Sequence, residues 1–295
     1  MKVKTTYNKL KNEYLGKSFS FFCGILIVIL TLSIISFLVI KGISTFVSGY
    51  SLKDFLFSTN WNPDQYEKSF GAGIFILGST LVAFGAVLIS TPIALAVAIF
   101  INLISPNFGR KIVQPALEIF VGIPSVVYGW IGVSLLIPFI RETIGGVGFS
   151  ILAAILILSI MILPTISTIS SDAIKTLSKD YVEASYGLGA TRWQTIYNVI
   201  IPAAKSGILT AIVLGVARAF GEALAVQMVI GNTVNIAKSL ISPTATLTSI
   251  LTMDMANTVF GSDWNNALWS LALILLIISF IFILLIRKIG SRGKS

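Results

Sequence analysis

Histidine does not occur anywhere in the 295 residues. Its absence removes the imidazole as general base, as metal ligand and as proton shuttle near neutral pH. Cysteine occurs once, as Cys23 inside an apolar run, so no intrachain disulfide can form and the redox compartment is not legible. Charge is scarce as well. Asp, Glu, Lys and Arg make up 11% of the chain, against about a quarter in a soluble domain. Hydrophobic residues reach 55%, with a mean hydropathy of +0.92. Carboxylates are the rarer sign, 12 against 21 Lys and Arg, for a net charge of +9. On a soluble protein that excess suggests nucleic acid. Here the cations stand at the ends of apolar runs, which points to a bilayer and away from nucleic acid. No internal repeat or low-complexity tract is visible.

What is abundant is apolar sequence. A span needs about 20 apolar residues, and six runs qualify: residues 19–40, 71–101, 113–138, 147–170, 206–230 and 265–286. The fold class expected is an all-α integral membrane protein with six transmembrane helices. Residues 1–70 read as a basic N-terminus, a first span and an outer loop added to a five-helix core over 71–287, with a basic tail at 288–295. The first run is longer than the roughly 7–15 residues of a signal-peptide core, and no Ala-x-Ala site follows it, so it reads as an uncleaved span. Pro92 and Pro124 lie inside the second and third runs, where neighbouring helices can re-satisfy the freed carbonyls.

Lys and Arg set the expected orientation. With the amino terminus in the cytoplasm, the inner segments hold Lys2, Lys4, Lys9, Lys11 and Lys17, then Arg110 and Lys111, then Lys175, Lys179, Arg192 and Lys205, and finally Arg287, Lys288, Arg292 and Lys294. The outer loops hold Lys41, Lys53, Lys68, Arg141 and Lys238, and Arg218 falls within a span. Fifteen against five places both termini inside. In the outer loop of 41–70, Phe55, Phe57 and Trp61 are expected at the headgroup level. In the second outer segment, 232–266, residues 247–257 read as an interfacial helix.

Between the fourth and fifth runs lies a polar loop, 178–202. Asp180-Tyr-Val-Glu183 has the form of a capping box with Asp180 as cap, and Thr191-Arg-Trp-Gln194 is a better one. Gly187 and Gly189 between them are free to take positive φ and suit a tight reversal. Trp193, Ile196, Tyr197 and Ile200 then recur at helical spacing up to a break at Pro202. These features predict two short helices around a glycine corner. Glu183-Ala184-Ser185, three residues, Gly189, nine residues, and then Val199-x-Ile201-Pro202 resembles the "EAA" loop of ABC-importer permeases. Glu183, Ala184, Gly189 and Pro202 match in register; Ser185, Val199 and Ile201 depart conservatively. The resemblance implies the type I permease fold and a loop that seats in a groove of a separate ATPase subunit. Two tripeptides, Gly16-Lys17-Ser18 and Gly293-Lys294-Ser295, imitate the end of a P-loop, but Lys11 and Lys288 occupy the position of its earlier glycine. ATP hydrolysis is therefore expected on another chain, and this one is not read as an enzyme.

The fifth run holds the costliest residues. Arg218 and Glu222 are four apart, so on one helix they share a face and can pair. Each costs about 2.5–3.5 kcal/mol at the centre of a span. Gly207, Ala211, Gly215, Ala219 and Ala223 form a small-residue stripe on which another backbone can pack closely, and both charges fall within its arc. A pair that only locks helices together is a weak stabiliser, whereas an arginine fork matches oxyanions. The stretch Ala217-Arg218-Ala-Phe-Gly-Glu222 through Gly231-Asn232, with Gly122-Ile-Pro124-Ser-Val-Val-Tyr128-Gly129, resembles phosphate-importer permeases of the C type over about 71–287. That resemblance implies Arg218 and Glu222 as pathway residues for phosphate. It implies ABC ATPase subunits, a second homologous (A-type) permease and an extracytoplasmic phosphate-binding protein as partners, with no cofactor and no metal. A sulfate or molybdate permease is the alternative. An embedded enzyme needs acid, base or metal ligands clustered at depth, and the runs hold only Glu222 and, near an interface, Glu118; a lone secondary transporter lacks the internal repeat such folds often show.

Overall fold

The computed structural model describes residues 16–292 and is built almost wholly of helices. Lys2, Lys4, Lys9, Lys11 and Lys294, which bear on the orientation, lie outside the described residues. The first helix, α1 (Gly16–Val47), is followed by a short α2 (Leu52–Phe57) and a two-residue hairpin of β1 (Trp61–Asn62) and β2 (Ser69–Phe70). Next come α3 (Gly73–Ile99), α4 (Gln114–Gly122), α5 (Ser125–Ile131), α6 (Ile137–Thr143) and α7 (Ile151–Lys175). Then follow α8 (Lys179–Gly187), α9 (Arg192–Thr195), α10 (Lys205–Gly221), α11 (Leu224–Ile230), α12 (Leu247–Asp254) and α13 (Asp263–Arg292). Among the described residues, five helical stretches are long and apolar enough to cross a membrane, and up to six if a bent pair of helices is taken as one span. That pair is Arg192–Ala203 with Lys205–Gly221, the latter being α10, joined at a 70° bend; the fifth expected run, 206–230, covers α10 and the short α11 instead.

Two expected spans are broken. The third, expected continuous over 113–138, stops at Gly122; Ile123 and Pro124 are extended, and the crossing helix runs from Ser125 to Thr143 through a π-helical turn. Pro124 has no N–H to give and biases the residue before it away from helix. Pro92 and Pro164, by contrast, stay inside α3 and α7. The fifth, expected over 206–230, stops at Gly221 and resumes at Leu224.

Packing divides into two kinds of core. At membrane level α3, α7 and α10 meet through small buried residues such as Ala83, Ala86, Ala154, Ala211 and Ala219. Lipid is as apolar as a leucine, so helices there associate by close van der Waals approach, which small residues permit. At the hairpin end the core is built of large side chains: Phe55, Trp61, Phe70 and Phe75 around Leu247, Leu268 and Leu271. Trp61 stacks edge-on against both Phe70 and Phe75. That is the composition of a water-facing domain, where burial itself is favourable. Phe55 and Trp61 are therefore core residues and not headgroup anchors; of the three aromatics, only Phe57 remains exposed. Residues 247–254 do form a helix, begun by a Thr246–Ser249 capping box, but Leu247 and Ile250 are buried in this core, so α12 is no interfacial helix. A third cluster, with Ile174, Ile196, Ile200 and Ile208, holds α8 and α9 to the opposite end of the bundle.

The helix α1 joins this body only near its hairpin end. Ser270 donates to the Gly42 carbonyl at 2.8 Å, and Phe37 meets Trp269 edge to face at 5.1 Å. The rest of α1 is exposed apolar surface, from Phe19 to Ile35.

Candidate functional site

The small-residue stripe of α10 does bring a second backbone close, and it is that of α7. A Cβ added to Gly207 would clash with Ala173 Cβ, and one on Gly215 would stand 2.7 Å from Ile166 Cδ1. Beside this seam Arg218 reaches across to α7, where its Nη1 donates to Thr165 Oγ1 at 2.6 Å. The guanidinium is otherwise exposed on the surface of the chain.

Glu222 does something different. The residue is extended (φ −73°, ψ 125°), so α10 has ended before it and the i, i+4 relation to Arg218 is lost. No ion pair joins the two among the described residues. The expectation of a pair on one helix face is thus corrected. A carboxylate oxygen of Glu222 instead accepts the Ala225 N–H at 3.2 Å, which caps the start of α11. Its own carbonyl accepts the Thr248 hydroxyl at 2.8 Å. A break in a span leaves backbone groups that must be satisfied internally, and here a side chain from α12 does so. Thr252 adds a second link, donating to Gln227 Oε1 at 2.7 Å. The other broken span is stapled similarly, with the Tyr128 hydroxyl donating across the Pro124 break to the Phe120 carbonyl at 2.8 Å. The second halves of the two broken spans, α5 and α11, pack on one another.

Sequence reasoning did not single out Thr165, Thr248, Thr252 or Gln227. The signal for Thr165 was present: it directly follows Pro164 inside the fourth apolar run. Thr248 and Thr252 sit four apart in the segment read as an interfacial helix.

The loop over 178–202 folds as two short helices about a glycine corner. Its first cap is Ser178, not Asp180: Ser178 is extended and its side chain accepts the Asp180 N–H at 3.3 Å. A serine placed one residue before the first helical residue does this more directly than an aspartate already inside the turn. The helix α8 ends in a Schellman arrangement, with Ala190 N–H to Ser185 O at 3.1 Å and Gly189 N–H to Tyr186 O at 2.9 Å. That closure requires the positive φ of Gly189, +80°. The Thr191–Gln194 box forms as read. Ser185, where the motif has alanine, joins α8 to α9 through a buried 2.9 Å hydrogen bond with Thr195 Oγ1. Arg192 donates to the carbonyls of Leu103 and Ile104, which tethers the loop to the π-helical turn (Phe100–Ile104) that continues α3.

Of the four residues at helical spacing, Ile196 and Ile200 point into the bundle while Trp193 and Tyr197 stand 67% and 74% exposed. Glu183 and Ala184 are exposed on α8, and Pro202 is exposed just before a 70° bend into α10. Between α8 and residues 190–199 runs a groove of about 680 Å³, walled by Tyr181, Leu188, Gln194 and Asn198. Leu188 is 90% exposed at its lip. The arrangement is a rigid protrusion with an apolar crown, tied by Arg192 and the isoleucines to the membrane helices.

Comparison with known proteins bears on the whole chain. The family described as "Binding-protein-dependent transport system inner membrane component" matches residues 90–294. A "Probable ABC transporter permease protein YqgH" of Bacillus subtilis is 48% identical over 99% of this chain and 95% of its own length. A "Phosphate transport system permease protein PstC" of Pasteurella multocida is 31% identical over 99% of this chain and 96% of its own. Among solved structures, a chain of a bacterial alginate ABC transporter superposes with a TM-score of 0.64 over 97% of each chain, at 16% identity.

Proposed function

The chain belongs to the family of binding-protein-dependent transport system inner membrane components, and on that premise we propose that it is the C-type permease subunit of an importer for inorganic phosphate. Family membership makes it a multi-pass membrane permease subunit. The finer reading is ours. The observation that carries it is Arg218: a guanidinium on a broken span, holding one hydrogen bond to Thr165 and, among the described residues, no carboxylate. Facing lipid, such a group would be penalised by about 2.5–3.5 kcal/mol. Facing a second, homologous permease subunit across a central path, its remaining donors are free for an oxyanion. Relatives named as phosphate permeases support phosphate as that oxyanion, and Glu222 accompanies Arg218 on the pathway by holding the break open beside it.

In this reading the α8–α9 end is cytoplasmic, as the excess of cations there favours, and both termini lie inside. Glu183, Ala184, Gly189 and Pro202 shape the protrusion that an ATPase subunit grips. ATP binding and hydrolysis on that subunit move α10 through the rigid loop. An extracytoplasmic phosphate-binding protein delivers its cargo to the hairpin end, formed by residues 41–70 and 232–266. The test is uptake of labelled phosphate by cells carrying Arg218→Ala. Uptake should be abolished while the permease still assembles in the membrane with its ATPase; normal uptake refutes the assignment. Competition by sulfate or molybdate in the parent protein would move the cargo to the related oxyanion class.

A further inference from the structure

Where α3, the loop after it, α7 and α8 converge, the chain forms a second, smaller concavity of about 150 Å³. Its rim carries Arg110, Lys175, Lys179 and Tyr181. Among the described residues no carboxylate engages any of the three cations, and the Tyr181 hydroxyl has no partner. Two further donors at the rim are already engaged. Asn102 Nδ2 donates to Ser171 Oγ at 2.7 Å, and Ser178 Oγ donates to Asp180 Oδ2 at 2.9 Å. Asp180 itself faces the larger groove on the other side of α8. The floor is apolar, with Leu103, Ile174 and Val182.

A rim that carries three cations and no carboxylate in its lining selects an anion. A floor of aliphatic side chains selects an anion that brings hydrocarbon with it, since a free inorganic ion would leave that floor wet. We infer that this concavity seats the phosphate of an anionic phospholipid from the adjacent leaflet. Juxtamembrane cations attract such headgroups, each raising binding about fivefold. Three of them on one concavity make a site, where the same cations spread along a helix end would make only a charged border.

The consequence rests on the function proposed above. Lys179 and Tyr181 stand on α8, the helix assigned to the ATPase, while Arg110 and Lys175 stand on the ends of the membrane helices. A headgroup between them ties the coupling helix to the bundle, so an anionic leaflet stiffens the link through which the motor acts.

The experiment uses the assembled transporter in nanodiscs of phosphatidylcholine alone or mixed with phosphatidylglycerol. Retained lipid is read by native mass spectrometry, and transport-linked ATP hydrolysis is read alongside. The parent should retain phosphatidylglycerol and hydrolyse more ATP per binding-protein encounter with it than without. Arg110→Gln/Lys175→Gln alters two exposed residues outside α8 and should lower retention about 25-fold, two fivefold steps, with the ATPase still bound. Equal retention by parent and variant overturns the inference. So does reproduction of the effect in pure phosphatidylcholine by excess inorganic phosphate, which would make the ligand a free anion. Co-purification of the ATPase with the parent tests the coupling role separately, because lipid retention needs no motor.

Discussion

Replacing Glu222 separates two accounts of the fifth span that differ in size as well as in kind. If Glu222 and Arg218 formed a buried ion pair, removing either partner would strand a charge at a cost of about 3–5 kcal/mol. The structure gives Glu222 a capping hydrogen bond to the Ala225 N–H and gives Arg218 a bond to Thr165. Loss of a cap costs about 1 kcal/mol, and loss of one hydrogen bond from an exposed guanidinium costs about 1 kcal/mol or less. Glu222→Ala should therefore lower the thermal midpoint by about 2 °C. Glu222→Gln keeps an oxygen acceptor for the cap and should melt close to the parent. In the double mutant Arg218→Ala/Glu222→Ala the two losses should add, with a coupling energy below about 0.5 kcal/mol, as for sites that share no partner. Thermal unfolding of the purified protein in detergent, followed by tryptophan fluorescence, measures all four corners of the cycle. A coupling of several kcal/mol, or a glutamine variant as unstable as the alanine one, would refute the cap and restore the ion pair.

Thr165→Val keeps the shape but loses the hydroxyl that holds Arg218. It should raise the half-saturating phosphate concentration about fivefold, the equivalent of about 1 kcal/mol, with Thr165→Ser restoring it; unchanged uptake kinetics would count against a positioning role. Gly189→Ala forces a Cβ into the left-handed region at φ +80°, at about 1–2 kcal/mol. It should loosen the α8–α9 corner and weaken ATPase co-purification, and Gly189→Asn should do less harm. At the hairpin end, burial and, secondarily, the nearby charge of Asp64 push the Asp254 carboxyl above its usual range. An acid with a raised folded pKa takes up a proton on folding, so its contribution to stability falls as pH rises from the ordinary carboxylate range through the raised value. Asp254→Asn should therefore melt higher than the parent at neutral pH, and the gap should close on acidification; a constant gap at all pH values would exclude the titration.

The spans, their number and the two-helix loop were legible because each rests on local periodicity and on the nearest few residues. The capping box at Thr191 and the reversal at Gly189 need no information from elsewhere in the chain. The shift of the first cap from Asp180 to Ser178 is an ambiguity of two residues, since Ser and Asp can each cap a helix. Long apolar runs say that a segment crosses lipid but not whether it crosses unbroken, and Pro92 and Pro124 look alike on that evidence. One is carried inside α3, and the other ends α4 where Tyr128 can satisfy the freed carbonyl of Phe120.

The amino-acid sequence alone determined that this protein lives in a bilayer, that a charged span runs through it, and that its polar loop folds into a protruding corner. Those properties follow from transfer free energy and from caps that act within four residues. Only the tertiary structure decided that Arg218 and Glu222 are not partners, because the break at Glu222 is held by Thr248 from a helix 26 residues away. It also decided that Phe55 and Trp61 are core and not anchors. A hydroxyl or an aromatic ring acquires its role from what long-range packing sets against it, and no local pattern carries that information.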